Sequence, residues 1–384
     1  MQLTKVVARR IRMKLKHPFQ TSFSTQTERE VLVLEAHDVD GTIGYAESVA
    51  GRDPFYSEET VATTAVMLEE FLVPMLFNAT LDHPDEVSQL FKPVRRNNMA
   101  ISAIEGAMWD IYAKQRGESL STAFGGTKKQ VEVGVSIGLQ PTDAALVEKV
   151  AAAVDAGFKR IKMKVKPGRD VEMIRAVRRE FAEVPLMVDA NSAYTLDDIP
   201  LLRQFDDFNL MMIEQPLAHD DIVDHAVLQK AIATPICLDE SIHSTEDARK
   251  AIALGACQII NIKTGRVGGL TAAKALHELC ADSGIPVWCG GMLETGIGRA
   301  HNIAMSTLPN FALPGDTAPS ANYWREDIIV PAVTMDRGVI DVPNGHGIGF
   351  EINQDALGRF TLSTETWTPT RLPAHQEKES SHVS

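Results

Sequence analysis

Five ionisable residues recur through the middle of this chain at a nearly constant interval. Lys164, Asp189, Glu214, Asp239 and Lys263 are separated by 25, 25, 25 and 24 residues, and each closes or follows a short apolar run. The runs lie at 134–138, 160–165, 186–190, 210–215, 236–240, 257–263 and 286–290, and an amphipathic segment follows each of them. Strand then helix, repeated at about 25 residues per unit, is the pattern of a parallel sheet with crossover helices. A weaker run near Phe311 to Pro314 brings the count to eight, which predicts an α/β fold of the (β/α)₈, TIM-like barrel type. The rival is a doubly wound open sheet. That fold carries a glycine-rich fingerprint after its first strand, and Gly138-Leu-Gln-Pro-Thr142 is not one.

One repeat step moves a residue to the same level on the next strand, so the five residues share the carboxyl face of the barrel, where such enzymes place their sites. Counted from 134–138, they occupy strands two to six. In an eight-stranded barrel, strands two and six are diametrically opposed, so Lys164 and Lys263 face each other with three carboxylates on the arc between them. A single acid after a strand reads as a solvated loop residue or a helix N-cap. Three in phase on neighbouring strands repel one another unless a cation neutralises them. An all-oxygen donor set selects a hard ion, which predicts Mg²⁺, with Mn²⁺ or another divalent cation as a substitute, on Asp189, Glu214 and Asp239. Asn191, two residues past Asp189, is either a neighbour of that site or a plain turn former.

Side chains alternate along a strand, so Lys162 shares the inward face with Lys164 while Met163 and Val165 point outward. Crowding by a like charge lowers a lysine pKa toward the range of a working base. Lys164 is therefore assigned the proton transfer, and Lys162 an electrostatic contact to a substrate carboxylate; a salt-bridged barrel edge is the plain alternative. A carboxylate bound to a cation has an acidified α-carbon. One lysine removes that proton. The opposite lysine either returns a proton to the other face, giving racemisation, or stays charged during an elimination.

Composition narrows the partners. The chain has 384 residues, with 38 Lys and Arg against 51 Asp and Glu, a net charge of −13 and no basic block. Phosphate backbones and anionic membranes bind clustered Lys and Arg, so neither nucleic acid nor membrane is expected as a partner, and a small-molecule carboxylate is. Cys237, Cys257, Cys280 and Cys289 form no C-x-x-C pair, and Met1 to Lys16 has no uninterrupted apolar stretch, so a cytoplasmic protein is expected. Before the barrel, residues 3–15, 31–37 and 43–48 read as a small antiparallel sheet with a turn at Asp40-Gly41, followed by helices through Arg116. The expected division is an α+β capping domain over 1–128, a barrel over 129–325, a segment over 326–370 completing both, and a disordered tail over 371–384.

The residues at these positions resemble a known family. Ile161-Lys162-Met163-Lys164, Val188-Asp189-Ala190-Asn191, Ile213-Glu214-Gln215-Pro216, Leu238-Asp239-Glu240-Ser241 and Ile262-Lys263 look like the enolase superfamily, muconate-lactonising-enzyme subgroup. Within it, Lys263-Thr264-Gly265-Arg266-Val267-Gly268-Gly269 and Gly290 to Arg299 look most like the o-succinylbenzoate synthase and N-succinylamino acid racemase family. The resemblance implies that Asp189, Glu214 and Asp239 bind Mg²⁺ and that Lys164 and Lys263 are the acid/base pair. It implies dehydration of 2-succinyl-6-hydroxy-2,4-cyclohexadiene-1-carboxylate in menaquinone biosynthesis, with N-acylamino acid racemisation as a second activity or the principal one. Muconate cycloisomerisation is a third reading, and a non-catalytic ligand-binding barrel a reading of another class. A homo-oligomer is expected.

Further residues are assigned to the substrate. Ser136 ends the first barrel strand, and Gly291 and Met292 follow the seventh; small residues there serve tight packing equally well. Phe19 and Phe23, in a polar loop from His17 to Glu30, and Tyr56, in a loop around Gly51 to Ser57, are expected to close over the barrel. Arg266 reads either as a cation depressing the pKa of Lys263, which favours racemisation, or as a surface ion pair. Glu294 argues against a phosphate site at Gly290-Gly291. Asp316 reads as lining the mouth or as a Gly-Asp turn.

Overall fold

The computed structural model describes residues 1–20 and 25–371; Phe23 and the tail beyond Arg371 that was expected to be disordered lie outside the described residues. Three strands open the chain, β1 (Leu3–Gln20), β2 (Thr25–Asp38) and β3 (Ile43–Ser48). They form an antiparallel sheet whose second turn is Asp40-Gly41, with Gly41 at φ +89 and the Asp40 carboxylate accepting the Thr42 N–H at 2.8 Å. The helix Asn98–Gln115 lies on this sheet, so close that a Cβ on Gly44 would sit 2.1 Å from the Ala107 carbonyl oxygen. Only glycine permits that approach.

The polar loop expected over 17–30 is a correction. Here β1 and β2 continue as a hairpin, with Phe19 opposite Gln26 and Gln20 opposite Thr25. Thr, Gln and Glu tolerate a two-sided, exposed ribbon, so the polar composition masked a strand. The Gln20 carbonyl accepts the Leu139 N–H at 3.2 Å, which fastens this end of the hairpin to the barrel.

After the short β4 (Gln130–Glu132) come seven parallel strands: β5 (Gly134–Ile137), β6 (Arg160–Lys164), β7 (Leu186–Asp189), β8 (Ile213–Glu214), β9 (Ile236–Leu238), β10 (Ile259–Ile262) and β11 (Val287–Cys289). Each pairs with its sequence neighbours in order, with helices between. The eighth strand expected at 311–314 is not a regular strand. Extended backbone fills its place and closes the circle: Gly134 N–H donates to Gly315 C=O at 2.7 Å, Asp316 N–H to Cys289 C=O at 2.7 Å, and Val287 N–H to Asn310 C=O at 3.2 Å. Pro314 has no N–H to give to a ladder, which keeps this segment irregular. Inside the barrel, Met187, Met212, Cys237, Ile259 and Trp288 form a small apolar floor, while Ile161, Met163 and Val165 face the helices.

The chain then returns to its beginning. β12 (Ile329–Val330) pairs with β14 (Glu351–Ile352), β13 (Val339–Asp341) pairs with β4, and β15 (Thr361–Trp367) adds to β1 as the fourth strand of the first sheet. Two buried carboxylates fix this cap to the barrel. Glu47 of β3 accepts the Thr295 and Gly298 N–H groups at 3.1 Å each, at the start of the helix Gly296–Ser306. Glu105 accepts the Leu270 N–H at 2.8 Å and the Thr271 N–H at 2.9 Å, at the start of the helix Leu270–Asp282. Carboxylates at helix N-termini satisfy donors that the helix itself leaves free. Among the described residues, no helix is long and apolar enough to cross a membrane.

Candidate active site

Strand register brings the spaced residues together. Lys164 on β6 is directly opposite Asp189 on β7, and Asp189 is opposite Glu214 on β8. Asp239 directly follows β9 and Lys263 directly follows β10, and all five side chains are buried. A cavity of about 500 Å³ opens above them between barrel and cap. Its walls include Lys162 and Lys164 from strand two, Asp189 and Asn191 from strand three and the turn after it, Lys263 from strand six, Ser136 from strand one, Gly291 and Met292 after strand seven, and Phe19 and Tyr56 from the cap. Glu214, Asp239 and Arg266 are not in that wall.

Each acid leans on cations. Asp189 is 2.6 Å from Lys164 Nζ and 3.5 Å from Lys162 Nζ. Glu214 accepts from Lys162 Nζ at 3.1 Å and from Asn261 Nδ2 at 2.8 Å. Asp239 meets Lys263 Nζ at 2.7 Å, the Tyr56 hydroxyl at 3.2 Å and the Arg266 guanidinium. Burial raises all three carboxyls. For Asp189 the two lysines outweigh it, and for Asp239 Arg266 and Lys263 do, so both are held below the usual carboxylate range. Burial and the charge of Asp189 push Glu214 up to about 7. Mutual repulsion of this strength among buried acids is what a bound cation relieves.

Two expectations about cations need correcting. Lys162 is not depressed by its neighbour: burial pulls it down, but Asp316, Glu214 and Asp189 outweigh burial and hold its ammonium above the ordinary lysine range. Arg266 is not a surface pair, and it does not line the cavity. It is 3% exposed and stands behind Asp239, donating through Nε to the Ile242 carbonyl at 2.7 Å. Its downward push on Lys263 is outweighed by Asp239 and Tyr56, which raise that ammonium against burial.

Other details fall between the alternatives read from sequence. Asn191 serves as both turn former and neighbour: at φ +44 its Oδ1 accepts from Lys164 Nζ at 2.8 Å, and its Nδ2 donates to Glu240 at 3.1 Å. Ser136 lines the cavity, and its Oγ is buried with no hydrogen-bond partner among the described residues. A Cβ on Gly291 would lie 2.8 Å from the Asp316 carbonyl oxygen, so packing requires the glycine. Asp316 is more than a turn residue: it bridges Lys162 at 2.7 Å and Arg160 at 2.5 Å, and Arg160 stacks over Trp288. Neither Glu240, quoted only as part of a motif, nor Arg160 was given a role from the sequence. Burial, then Asp239 and Asp189, push Glu240 up to about 8. Its place beside Asp239 was the one signal available for it. Arg160 could have been found from β6, where its inward phase matches Lys162 and Lys164.

Among the described residues, no three acid, histidine or cysteine side chains already enclose a metal-sized gap. The donor chemistry nevertheless fits a hard divalent cation. Three buried carboxylates on adjacent strand ends feel one another's charge, and a fourth buried acid, Glu240, keeps Oε2 without a hydrogen-bond partner beside them.

Comparison with known proteins identifies the family. Residues 3–125 match the mandelate racemase / muconate lactonizing enzyme N-terminal domain, and residues 145–356 match the enolase C-terminal domain-like family. The chain is 59% identical over 356 residues to an o-succinylbenzoate synthase of Geobacillus kaustophilus, covering 93% of this chain and 95% of that one. It is 43% identical over 362 residues to an N-succinylamino acid racemase of Thermus thermophilus, covering 94% and 98%. A crystal structure of an enolase superfamily member from Listeria innocua superimposes with a TM-score of 0.94 at 41% identity, covering 96% of this chain and all of that one. With both family domains matched in order along nearly the whole chain, this protein belongs to the mandelate racemase / muconate lactonizing branch of the enolase superfamily.

Proposed function

We propose that this chain removes a proton α to a carboxylate with the help of a divalent cation, Mg²⁺ or in its place Mn²⁺. Its principal reaction in this reading is dehydration of 2-succinyl-6-hydroxy-2,4-cyclohexadiene-1-carboxylate to o-succinylbenzoate, with racemisation of N-succinylamino acids as a second activity. Enzymes of this superfamily use a divalent metal and act on small carboxylates, and both chemistries are named among the relatives. The observation that carries the reading is the pair Lys164 and Lys263, on strands two and six of one barrel, lining one cavity with three acids between them.

Asp189, Glu214 and Asp239 would hold the cation. When bound, it supplies positive charge at the substrate carboxylate, where negative charge grows as the α-proton leaves. Lys164 is aimed by Asp189 and Asn191, which fix its Nζ on two sides. In the dehydration, Lys164 takes the α-proton and gives it to the departing hydroxyl, which leaves as water. Lys263, fixed by Asp239 and by the Tyr56 hydroxyl at 2.8 Å, keeps its proton and balances charge. In the racemisation, Lys263 delivers a proton to the face opposite Lys164. Lys162, Ser136 and the cap residues Phe19 and Tyr56 bound the space left for the rest of the substrate. The four cysteines are all free and buried, which supports a reduced, cytoplasmic setting.

The test incubates the enzyme with Mg²⁺ in D₂O, with N-succinylamino acids and the cyclohexadiene acid in separate reactions. Rising aromatic absorbance supports the synthase, and α-deuterium with loss of optical rotation supports the racemase. Lactonisation of muconate with neither of these overturns the reading. Lys263→Arg keeps the charge but not the ammonium's reach, so racemisation stops while dehydration keeps a measurable rate.

A further inference from the structure

The three acids sit at or just past three separate strand ends, and strand pairing alone does not fix the turns beyond those ends. Gln215 joins them. It is fully buried, follows Glu214 directly, and has φ +38. A residue other than glycine enters that left-handed region only at a cost in strain, and holds it only where its surroundings over-determine it.

Here they do, because each polar group of the residue is engaged. The backbone N–H donates to the Cys237 carbonyl at 2.9 Å, and the carbonyl accepts the Ser192 N–H at 2.8 Å. Side-chain Oε1 accepts the N–H groups of Asp239 at 3.0 Å and Ser241 at 3.3 Å. Nε2 donates to Ser241 Oγ at 2.6 Å and to the Ala218 carbonyl at 3.0 Å. One residue therefore ties the turn after Asp189, through Ser192, to the turn carrying Asp239, and both to the end of Glu214's strand.

We infer that Gln215 is the positioning residue of the acidic triad, its strained backbone and its amide together setting the convergence of Asp189, Glu214 and Asp239 on one divalent cation. The inference rests on the metal reading given under Proposed function. It assigns Gln215 no contact with substrate. Its effect runs through the spacing of the carboxylates and is therefore read in metal affinity.

The test is Gln215→Asn. Asparagine tolerates positive φ, so the turn is kept, while its amide is one methylene too short to reach the Asp239 and Ser241 N–H groups. Mn²⁺ affinity of wild type and variant is measured by calorimetric titration, with circular dichroism to establish folding. The dissociation constant rises about tenfold or more, the scale seen when a group supporting a metal ligand is removed. Turnover at saturating Mn²⁺ recovers further than turnover at limiting Mn²⁺, a split that a merely structural role does not give. Equal Mn²⁺ affinity in wild type and a folded Gln215→Asn overturns the inference alone, whereas no Mn²⁺ binding by wild type overturns the metal reading and the inference with it. Should Gln215→Asn fail to fold, Ser241→Ala carries the test: it removes one of the two Nε2 partners, together with the Ser241 hydroxyl's bond to the Asp221 carbonyl at 2.7 Å, and leaves both N–H donors to Oε1 in place. A smaller rise in the dissociation constant supports the inference, and wild-type affinity overturns it.

Discussion

Glu105→Gln isolates what a buried cap carboxylate does for the joint between the two layers. Glu105 is 1% exposed and gathers four donors: the Leu270 and Thr271 N–H groups, the Thr271 hydroxyl at 2.6 Å and Trp109 Nε1 at 2.8 Å. Burial raises its pKa from 4.5 to about 7, and the hydrogen bonds from Thr271, Leu270 and Trp109 only partly counter that. The sign follows from linkage. A carboxyl whose pKa is higher folded than unfolded binds its proton more tightly in the native state, so stability falls as pH rises from 4.5 toward 7 and is flat outside that window. Between pH 5.5 and 8 this one group costs about 2 kcal/mol. Glutamine does not titrate, keeps an oxygen for Thr271 and Trp109, and turns an NH₂ toward the Leu270 N–H. The variant is therefore the less stable protein at pH 5.5, and the gap narrows by about 2 kcal/mol at pH 8. Urea unfolding followed by far-UV circular dichroism measures it, since Trp109 is itself a partner and its fluorescence would report the local change. An equal gap at both pH values refutes the reasoning.

Two further substitutions probe the floor and the cap side of the site. Asp316→Asn strips Lys162 and Arg160 of a shared buried carboxylate and destabilises the protein by about 3–5 kcal/mol in thermal or urea unfolding; a loss below about 1 kcal/mol means that Glu214 and Asp189 suffice for Lys162. Tyr56→Phe removes the hydroxyl between Lys263 and Asp239 but leaves the ring against Val49 and Met99, so kcat/KM falls about two- to tenfold with folding intact. An unchanged kcat/KM shows that Asp239 alone positions Lys263.

What the sequence made legible was whatever repeats. The interval of 24 or 25 residues placed five side chains on five consecutive strands, because a βα unit has a fixed length and strand pairing carries that phase into space. Residues outside the repeat were weighed by local habit, and local habit misled. Asp316 follows Pro314-Gly315, an irregular closing segment with no strand pattern, so its approach to Lys162 came from barrel closure alone. Arg266 was read as a cation acting on Lys263 or as a surface ion pair; its actual partner, Asp239, is adjacent only through the βα step. Residues 17–20 and 25–28 of the ribbon have no buried side chain, so no alternation marked them as strand. Gln215 was quoted only as part of a motif; its left-handed backbone and its links to two other turns have no signature in a single sequence.

The central claim is that Lys164 and Lys263 work on opposite faces of one α-carbon. The most direct measurement follows α-proton exchange in D₂O for each pure enantiomer of an N-succinylamino acid with Lys164→Ala and Lys263→Ala. The account predicts that neither variant racemises, and that each still exchanges the α-proton of one enantiomer, a different one for each variant. Exchange of the same enantiomer by both variants, or racemisation surviving in either, contradicts it.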